Sequence, residues 1–429
     1  MIDRTIQPLI SEPEQLIVPK PEYRIMPNGV PLYIFNAEDH EVVRIDLLIK
    51  AGQWRQAKPL QALFTNRMLR EGTQHYSSAA IAEKLDYYGA WLDLSTSSEY
   101  AYITLYSLNK YLPQTLEILE SVVKEPTFPE KELQVIVGNN IQQFLVNQSK
   151  VDFLANRALM KALYGDKHPC GHLVEEGDYR SISSELLRDF YTKNYHSENC
   201  YIYLSGKVTK KVVCLIEKTF GSEAFGQTES LEARKEYLPV TSSQKRLFVE
   251  RVDALQSAIR LGMLSVGCLH PDYLKLRVLM TLFGGYFGSR LMSNIREDKG
   301  YTYGISAGLH LYPGNSMLVI GAEAANEFVE PLISEVHHEI ERLQNDLVSD
   351  KELTMVRNYI LGDMCRNYES VFSLADAWIF IKTSGLPDTY VKDMWKSTLS
   401  ITPAEIRKLA EQYLCKESLK EIVSGKKIS

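Results

Sequence analysis

The sequence predicts an α+β protein of two tandem homologous domains, each a largely antiparallel sheet with helices packed on one face. Three observations predict it. At 429 residues the chain exceeds one ordinary core and suits two. The order of strand-like and helix-like segments recurs after a polar stretch near the middle. Two tripeptides recur with it, both offset by about 220 residues. Lys131-Glu132-Leu133 and Lys351-Glu352-Leu353 each open a long helical pattern, and Ser205-Gly206-Lys207 and Ser424-Gly425-Lys426 each follow a strand-like run. Either match alone is chance; a constant offset with a constant order reads as a remote tandem duplication. Such domains enclose a cleft between them.

The elements follow in order. Residues through about Glu22 are polar and Pro-punctuated and read as an arm over the surface. Asn28-Gly29 is a turn signal, and strands follow over 30–35 and 42–49. Pro59 takes the first turn of a helix that runs to Arg70 and stops at Gly72, with Leu60, Leu63, Phe64 and Met68 as its apolar stripe. Ser77 or Ser78 caps the next helix, whose Ile81, Leu85 and Tyr88 face inward before Gly89 ends it. Residues 92–108 alternate as a hairpin, helical patterns fill most of 112–195, and 201–204 returns as a strand. From about Gly221 to Ser243 the pattern dissolves into Gly, Ser, Thr, Glu and Lys. The division is therefore residues 1–225, a linker at 226–243, and residues 244–429. In the second part, strands near 246–251 and 257–266 precede a helix from about Pro271, the stretch 284–308, strands to Gly321, and helices from Ala325 to about Leu414.

Composition excludes several function classes. The chain is 45% hydrophobic and 24% charged, which is ordinary for a soluble globular protein. A net charge of −6 argues against a nucleic-acid partner. No apolar run approaches spanning length and the amino terminus lacks a signal pattern, so no membrane partner is expected. Six cysteines lie scattered without C-x-x-C spacing, which fits a reducing cytoplasm.

The stretch 284–308 reads GGYFGSRLMSNIREDKGYTYGISAG. Leu291, Met292 and Ile295 lie at helical spacing, a charged turn ends at Gly300, and strand-like alternation starts at Tyr303. Arg296 and Tyr303 are seven residues apart, a guanidinium and a phenol brought to one side of a cleft. Such donors suit a peptide carbonyl or the oxyanion formed on attack. Gly284, Gly285 and Gly288 lack the GxGxxG spacing and the Walker Lys-Ser pair, so they are not read as a phosphate loop. By residue type and spacing the stretch resembles the Arg/Tyr motif of the pitrilysin/insulinase family of zinc metallopeptidases, the inverzincins. That resemblance implies the LuxS/mitochondrial-processing-peptidase-like metallohydrolase fold and a zinc-bearing helix in the first domain. Three further segments carry it: 89–106, like the family's substrate-binding edge strand, the loop His168-Pro169-Cys170-Gly171, and 256–262, like the strand before the Arg/Tyr region.

The family's H-x-x-E-H helix often reads A-H-x-x-E-H-M-x-x-x-G-T. Here Ala62, Met68, Gly72 and Thr73 keep the frame, while the histidine positions hold Leu63 and Arg67 and the glutamate position holds Asn66. Leucine has no lone pair, arginine repels a divalent cation, and asparagine accepts no proton. The family's later glutamate ligand would fall near 138–143, and no Asp or Glu occurs between Glu132 and Asp152. No metal and no cofactor are therefore expected in this chain.

The resemblance implies a non-catalytic subunit of a heterodimeric zinc metallopeptidase. In it, Arg296 and Tyr303 hold the scissile carbonyl while zinc sits in a homologous H-x-x-E-H partner subunit. Leu92, Asp93, Leu94, Ser95 and Thr96 would then bind a peptide substrate along a strand edge. The alternative is an inactive peptide-binding or structural scaffold of the same fold, and homodimers stay open beside the heterodimer. No Ser/His/Asp or Cys/His spacing supports a stand-alone enzyme. Taken alone, Arg296 and Tyr303 would be a structural salt bridge and a half-buried sheet tyrosine, and Tyr301 rivals Tyr303 for the phenol by sharing its strand face. Arg67 reads as a solvated or salt-bridged arginine rather than a new functional cation. His168, Cys170 and His172 offer two imidazoles and a thiol, but Pro169 and Gly171 make the segment a turn and not a metal cluster.

Overall fold

The computed structural model describes residues 5, 16–37, 41–226 and 237–427. Most of the expected linker and most of the expected arm lie outside the described residues.

The first half forms strands β1 (Glu22–Ile25), β2 (Pro31–Asn36), β3 (Val42–Ile49), β4 (Trp91–Thr96), β5 (Ala101–Leu108) and β6 (Cys200–Gly206). Between and after them run helices α1 (Gln61–Met68), α2 (Ser78–Tyr88), α3 (Leu112–Lys124), α4 (Glu130–Gln148), α5 (Val151–Tyr164), α6 (Glu176–Arg180), α7 (Ser184–Asn194) and α8 (Lys210–Ile216). The second half adds β7 (Arg246–Glu250), β8 (Gln256–Ser265), β9 (Thr302–Tyr312), β10 (Asn315–Ala325) and β11 (Lys420–Gly425). Its helices are α9 (Tyr273–Met280), α10 (Val329–Asn345), α11 (Asp350–Asn367), α12 (Val371–Thr383), α13 (Tyr390–Ser400) and α14 (Pro403–Tyr413).

Two sheets result, ordered β1-β2-β6-β3-β5-β4 and β7-β11-β8-β10-β9. Without the extra edge strand β1, each runs first, fifth, second, fourth, third in its own half. In each, the first and fifth strands pair in parallel and the other neighbours antiparallel. The repeated tripeptides occupy matching places, at the starts of α4 and α11 and the ends of β6 and β11. β4 and β9, the third strand of each half, are edge strands of their sheets among the described residues.

The buried clusters show what covers each sheet. One face of the first sheet packs on α1, α2, α3, α4, α7 and α8, and the matching face of the second packs on α9, α10, α11 and α14. Helices pack on one face of each sheet as expected, and each sheet in addition receives a helix from the other half on its second face. α5 lies on β8 and β11, with Leu159 and Leu163 against Ala258 and Ile422. α12 lies on β2 and β6, with Trp378 and Ile379 in one cluster with Phe35 and Tyr203. These two helices follow α4 and α11, so the exchange is reciprocal. It explains the nearly continuous burial of β3, a central strand covered on both faces. Arg44 and Asp46 on β3 are buried and ion-paired to each other, and Arg44 also pairs with Asp376 of α12. The arm's described end joins this layer, where Trp378 Nε1 donates to Pro19 O at 3.3 Å.

Two local expectations are corrected and one open choice is settled. α1 begins at Gln61, preceded by Leu60 in a left-handed conformation (φ 69°), and Pro59 lies in the turn before it. Of its expected stripe, Phe64 and Met68 are buried and Leu60 and Leu63 half-buried. The segment after Leu291 is not α-helical but a π-turn over Met292–Asp298, in which Lys299 N donates to Asn294 O five residues back. Of the two candidate caps, Ser77 is the one used, accepting from Ala80 N.

Candidate functional site

Arg296 leaves the π-turn, and Phe287, on the bend before it, approaches from one side. The guanidinium carbon lies 4.6 Å from the Phe287 ring centre and 5.1 Å from that of Tyr303, so the cation is held between two aromatic rings. Among the described residues no carboxylate pairs with Arg296. Its N–H edge stays available to a ligand.

Tyr303 is 90% exposed, which the regular alternation of β9 does not provide. The cause is a β-bulge. Thr302 pairs with Ala324 and Ile305 with Ala322, leaving Tyr303 and Gly304 opposite Glu323 alone. Thr302 Oγ1 ties the bulge by donating to Glu323 O at 2.6 Å and accepting from Gly304 N at 3.2 Å. Tyr301, the rival phenol, precedes the strand rather than sharing its face. Its ring stacks on Phe328 at 5.1 Å and its N–H donates to Ile295 O.

Beneath the π-turn, Asn294 Nδ2 donates to Glu335 Oε2 at 3.0 Å and to Glu339 Oε1 at 2.8 Å. Glu339 is fully buried and also accepts from Arg342. The Asn294 amide and the Lys299 ammonium hold the Glu335 carboxyl below its ordinary value. Phe287, Thr302 and Asn294 were not singled out in the sequence. All three stand inside the stretch 284–308, but the bulge at Thr302 and the Asn294 bonds to Glu335 and Glu339 depend on partners outside it.

In the first half, the degenerate motif is rebuilt for structure. Asn66 is fully buried, and its Nδ2 donates to Ser95 O at 2.7 Å and Tyr102 O at 3.1 Å. Tyr195 Oη donates to its Oδ1. The amide thus pins α1 to the hairpin of β4 and β5. Arg67 Nη1 donates to Asn140 Oδ1 at 2.9 Å, joining α1 to α4 within the segment 138–143 where a ligand was sought. The expected solvated or salt-bridged arginine is instead half-buried on a neutral amide. Leu63 is half-buried beside them. These residues do not fit zinc: a leucine, a cation and an amide committed to two carbonyls offer no ligand set. Among the described residues no group of three or more His, Cys, Asp and Glu converges to hold a metal.

On the edge strand β4, Leu92 is buried and Leu94 and Thr96 half-buried, while Asp93 and Ser95 face solvent. The loop at His168 is a turn, as read. His168 Nδ1 accepts from Cys170 N, its ring packs on Tyr164 and Trp54, and His172 Nε2 lies 3.9 Å from Asp178. Burial pushes the Cys170 thiol up to about 12 and lowers His168. Among the described residues no hydrogen bond, ion pair or ring contact links the Arg296–Tyr303 pair to the Asn66–Arg67 cluster. None of the described helices is long and apolar enough to cross a membrane.

Residues 33–176 match the family model described as Insulinase (Peptidase family M16), and residues 181–360 match that of the Peptidase M16 inactive domain. The chain is 26% identical over 352 residues to an uncharacterized zinc protease, YmxG, of Bacillus subtilis, covering 81% of this chain and 84% of that one. It is also 26% identical over 242 residues to a protein of Helicobacter pylori named a non-peptidase homolog, covering 56% and 55%. The crystal structure of a peptidase M16 inactive domain from Pseudomonas fluorescens superposes with a TM-score of 0.86 at 23% identity, covering 96% of this chain and 98% of that one.

Proposed function

This chain belongs to the insulinase (M16) peptidase family, and from that premise we propose that it is the non-catalytic subunit of a heterodimeric zinc peptidase. The partner is a homologous chain with an intact H-x-x-E-H motif, and the shared substrate is a peptide. The observation that carries this reading is the exposed Tyr303 beside an Arg296 held by two rings, with no carboxylate partner among the described residues. A scaffold gains nothing from a splayed phenol and an unpaired cation. A substrate carbonyl does, because both groups donate hydrogen bonds to an oxygen gaining negative charge. This chain supplies those donors and no metal. Six scattered free cysteines support a cytoplasmic location for it.

The test is peptide hydrolysis by this chain, by the similar-length H-x-x-E-H chain of the same genome, and by their mixture. Activity is expected only in the mixture, with zinc only in the partner. Tyr303→Phe should then lower kcat about a hundredfold, the order of one oxyanion donor, with KM little changed. Partner activity that is unaltered by mixing sinks the proposal and leaves a scaffold.

A further inference from the structure

A groove of about 880 Å³ lies on the second face of the second sheet, where α5 ends its cover, with Tyr303 at its mouth. Its floor is unusual for a sheet. Gly304 and Gly308 on β9 and Gly321 on β10 all line it. A Cβ at Gly304 or Gly308 would meet nothing within 4 Å, and one at Gly321 would meet only the Arg260 side chain. Glycine inside a strand weakens it, and commonly marks a place where something else must approach the backbone. One wall is aromatic, the stacked pair Tyr301 and Phe328. The other is Arg260, whose Nε donates to Asn156 Oδ1 of α5 at 2.9 Å and whose Nη1 donates to Ala322 O.

The duplication supplies a control within the molecule. β5 holds the place in the first sheet that β10 holds in the second. Its residues on the same face are Tyr102, Thr104 and Tyr106, and Phe372 of α12 packs on Tyr106. Both halves carry a crossing helix on this face, but where β5 has Tyr102, Thr104 and Tyr106, β10 has Val319, Gly321 and Glu323 beside the β9 glycines, and the groove opens there.

We propose that this groove binds an extended segment of polypeptide, with one aromatic side chain seated on the glycine floor between the Tyr301–Phe328 wall and Arg260. The proposal rests on the reading that the chain handles peptides, and names what that peptide must carry. A flat ring matches a floor without side chains and stacks against Phe328 and Tyr301. The peptide backbone then passes Tyr303 at the mouth.

Binding is measured to this chain alone by anisotropy, with two labelled Ser/Ala peptides identical except for a central Phe or Gly. The Phe peptide should bind more tightly by roughly tenfold to a hundredfold, the order of one buried aromatic side chain. Gly308→Val fills the groove with a residue suited to a strand and should abolish the preference; Gly308→Ala, the gentler variant, should reduce it. Equal binding of the two peptides, no binding of either, or a preference unchanged in both variants with the fold intact overturns the proposal. Tyr303→Phe should keep the preference while losing turnover in the mixed enzyme. Failure of the groove and failure of the subunit reading are thus separate results.

Discussion

At the scale of single residues, loss of the metal motif was legible, because Leu63, Asn66 and Arg67 cannot ligate zinc whatever surrounds them. What these three side chains do instead was not legible. Asn66 bonds carbonyls 29 and 36 residues away, and Arg67 an amide 73 residues away; no local pattern announces such partners. The new bonds predict that reversion is harmful. Asn66→Glu restores the family's residue but replaces a donor to two buried carbonyls with an acceptor. It leaves Ser95 O and Tyr102 O facing a carboxylate in a dry site. Chemical denaturation should show a loss of about 2–4 kcal/mol, more than for Asn66→Ala. Equal stability of Asn66→Glu and the unchanged chain would mean that the amide does not hold α1 to the hairpin.

At the scale of elements, periodicity placed most strands and helices, and it erred where the backbone departs from a regular repeat. The apolar spacing of Leu291 and Ile295 serves a π-turn as well as an α-helix, and Pro59 fits a turn as well as a first helical turn. The bulge in β9 is the costliest omission, since alternation alone would point Tyr303 with Ile305 and Ala307 into the core. Its tie is the Thr302 hydroxyl, which makes Thr302 a positioning residue for Tyr303. Thr302→Val keeps the shape and removes the hydroxyl's bonds to Glu323 O and to Gly304. It should cost about 1 kcal/mol of stability and, in the proposed mixed enzyme, lower kcat several-fold with KM held. Thr302→Ser should restore the rate. A Val variant with normal turnover would show that the bulge keeps its form without this hydroxyl.

At the scale of the molecule, the tripeptide offset and element order anticipated the duplication, and the two sheets repeat one strand order. The exchange of α5 and α12 was not legible, because an amphipathic helix does not state which sheet it covers. Yet the exchange accounts for two odd letters in an otherwise apolar strand, Arg44 and Asp46 in VVRIDLLI. Both side chains are buried where α12 crosses. Arg44 Nε donates to Asp46 Oδ2 at 2.7 Å and Thr104 Oγ1 donates to Asp46 Oδ1, while Arg44 also reaches Asp376. Burial raises the Asp46 carboxyl, and Arg44 and Thr104 oppose the rise. Such a pair costs desolvation that its attraction only roughly offsets, so its removal as a unit and its breakage have different consequences. Arg44→Leu strands Asp46 as an uncompensated charge under α12 and should destabilise the fold by about 3–5 kcal/mol. Arg44→Leu with Asp46→Leu leaves only Asp376, whose side chain is 62% exposed and can hydrate, so most of that loss should return. Because α5 and α12 stitch each half to the other's sheet, both variants should still unfold in one transition, with the midpoint moved and the slope kept. A double variant no more stable than Arg44→Leu would assign the ion pair a net stabilising role. Two separated transitions would show that the crossing helices do not couple the halves.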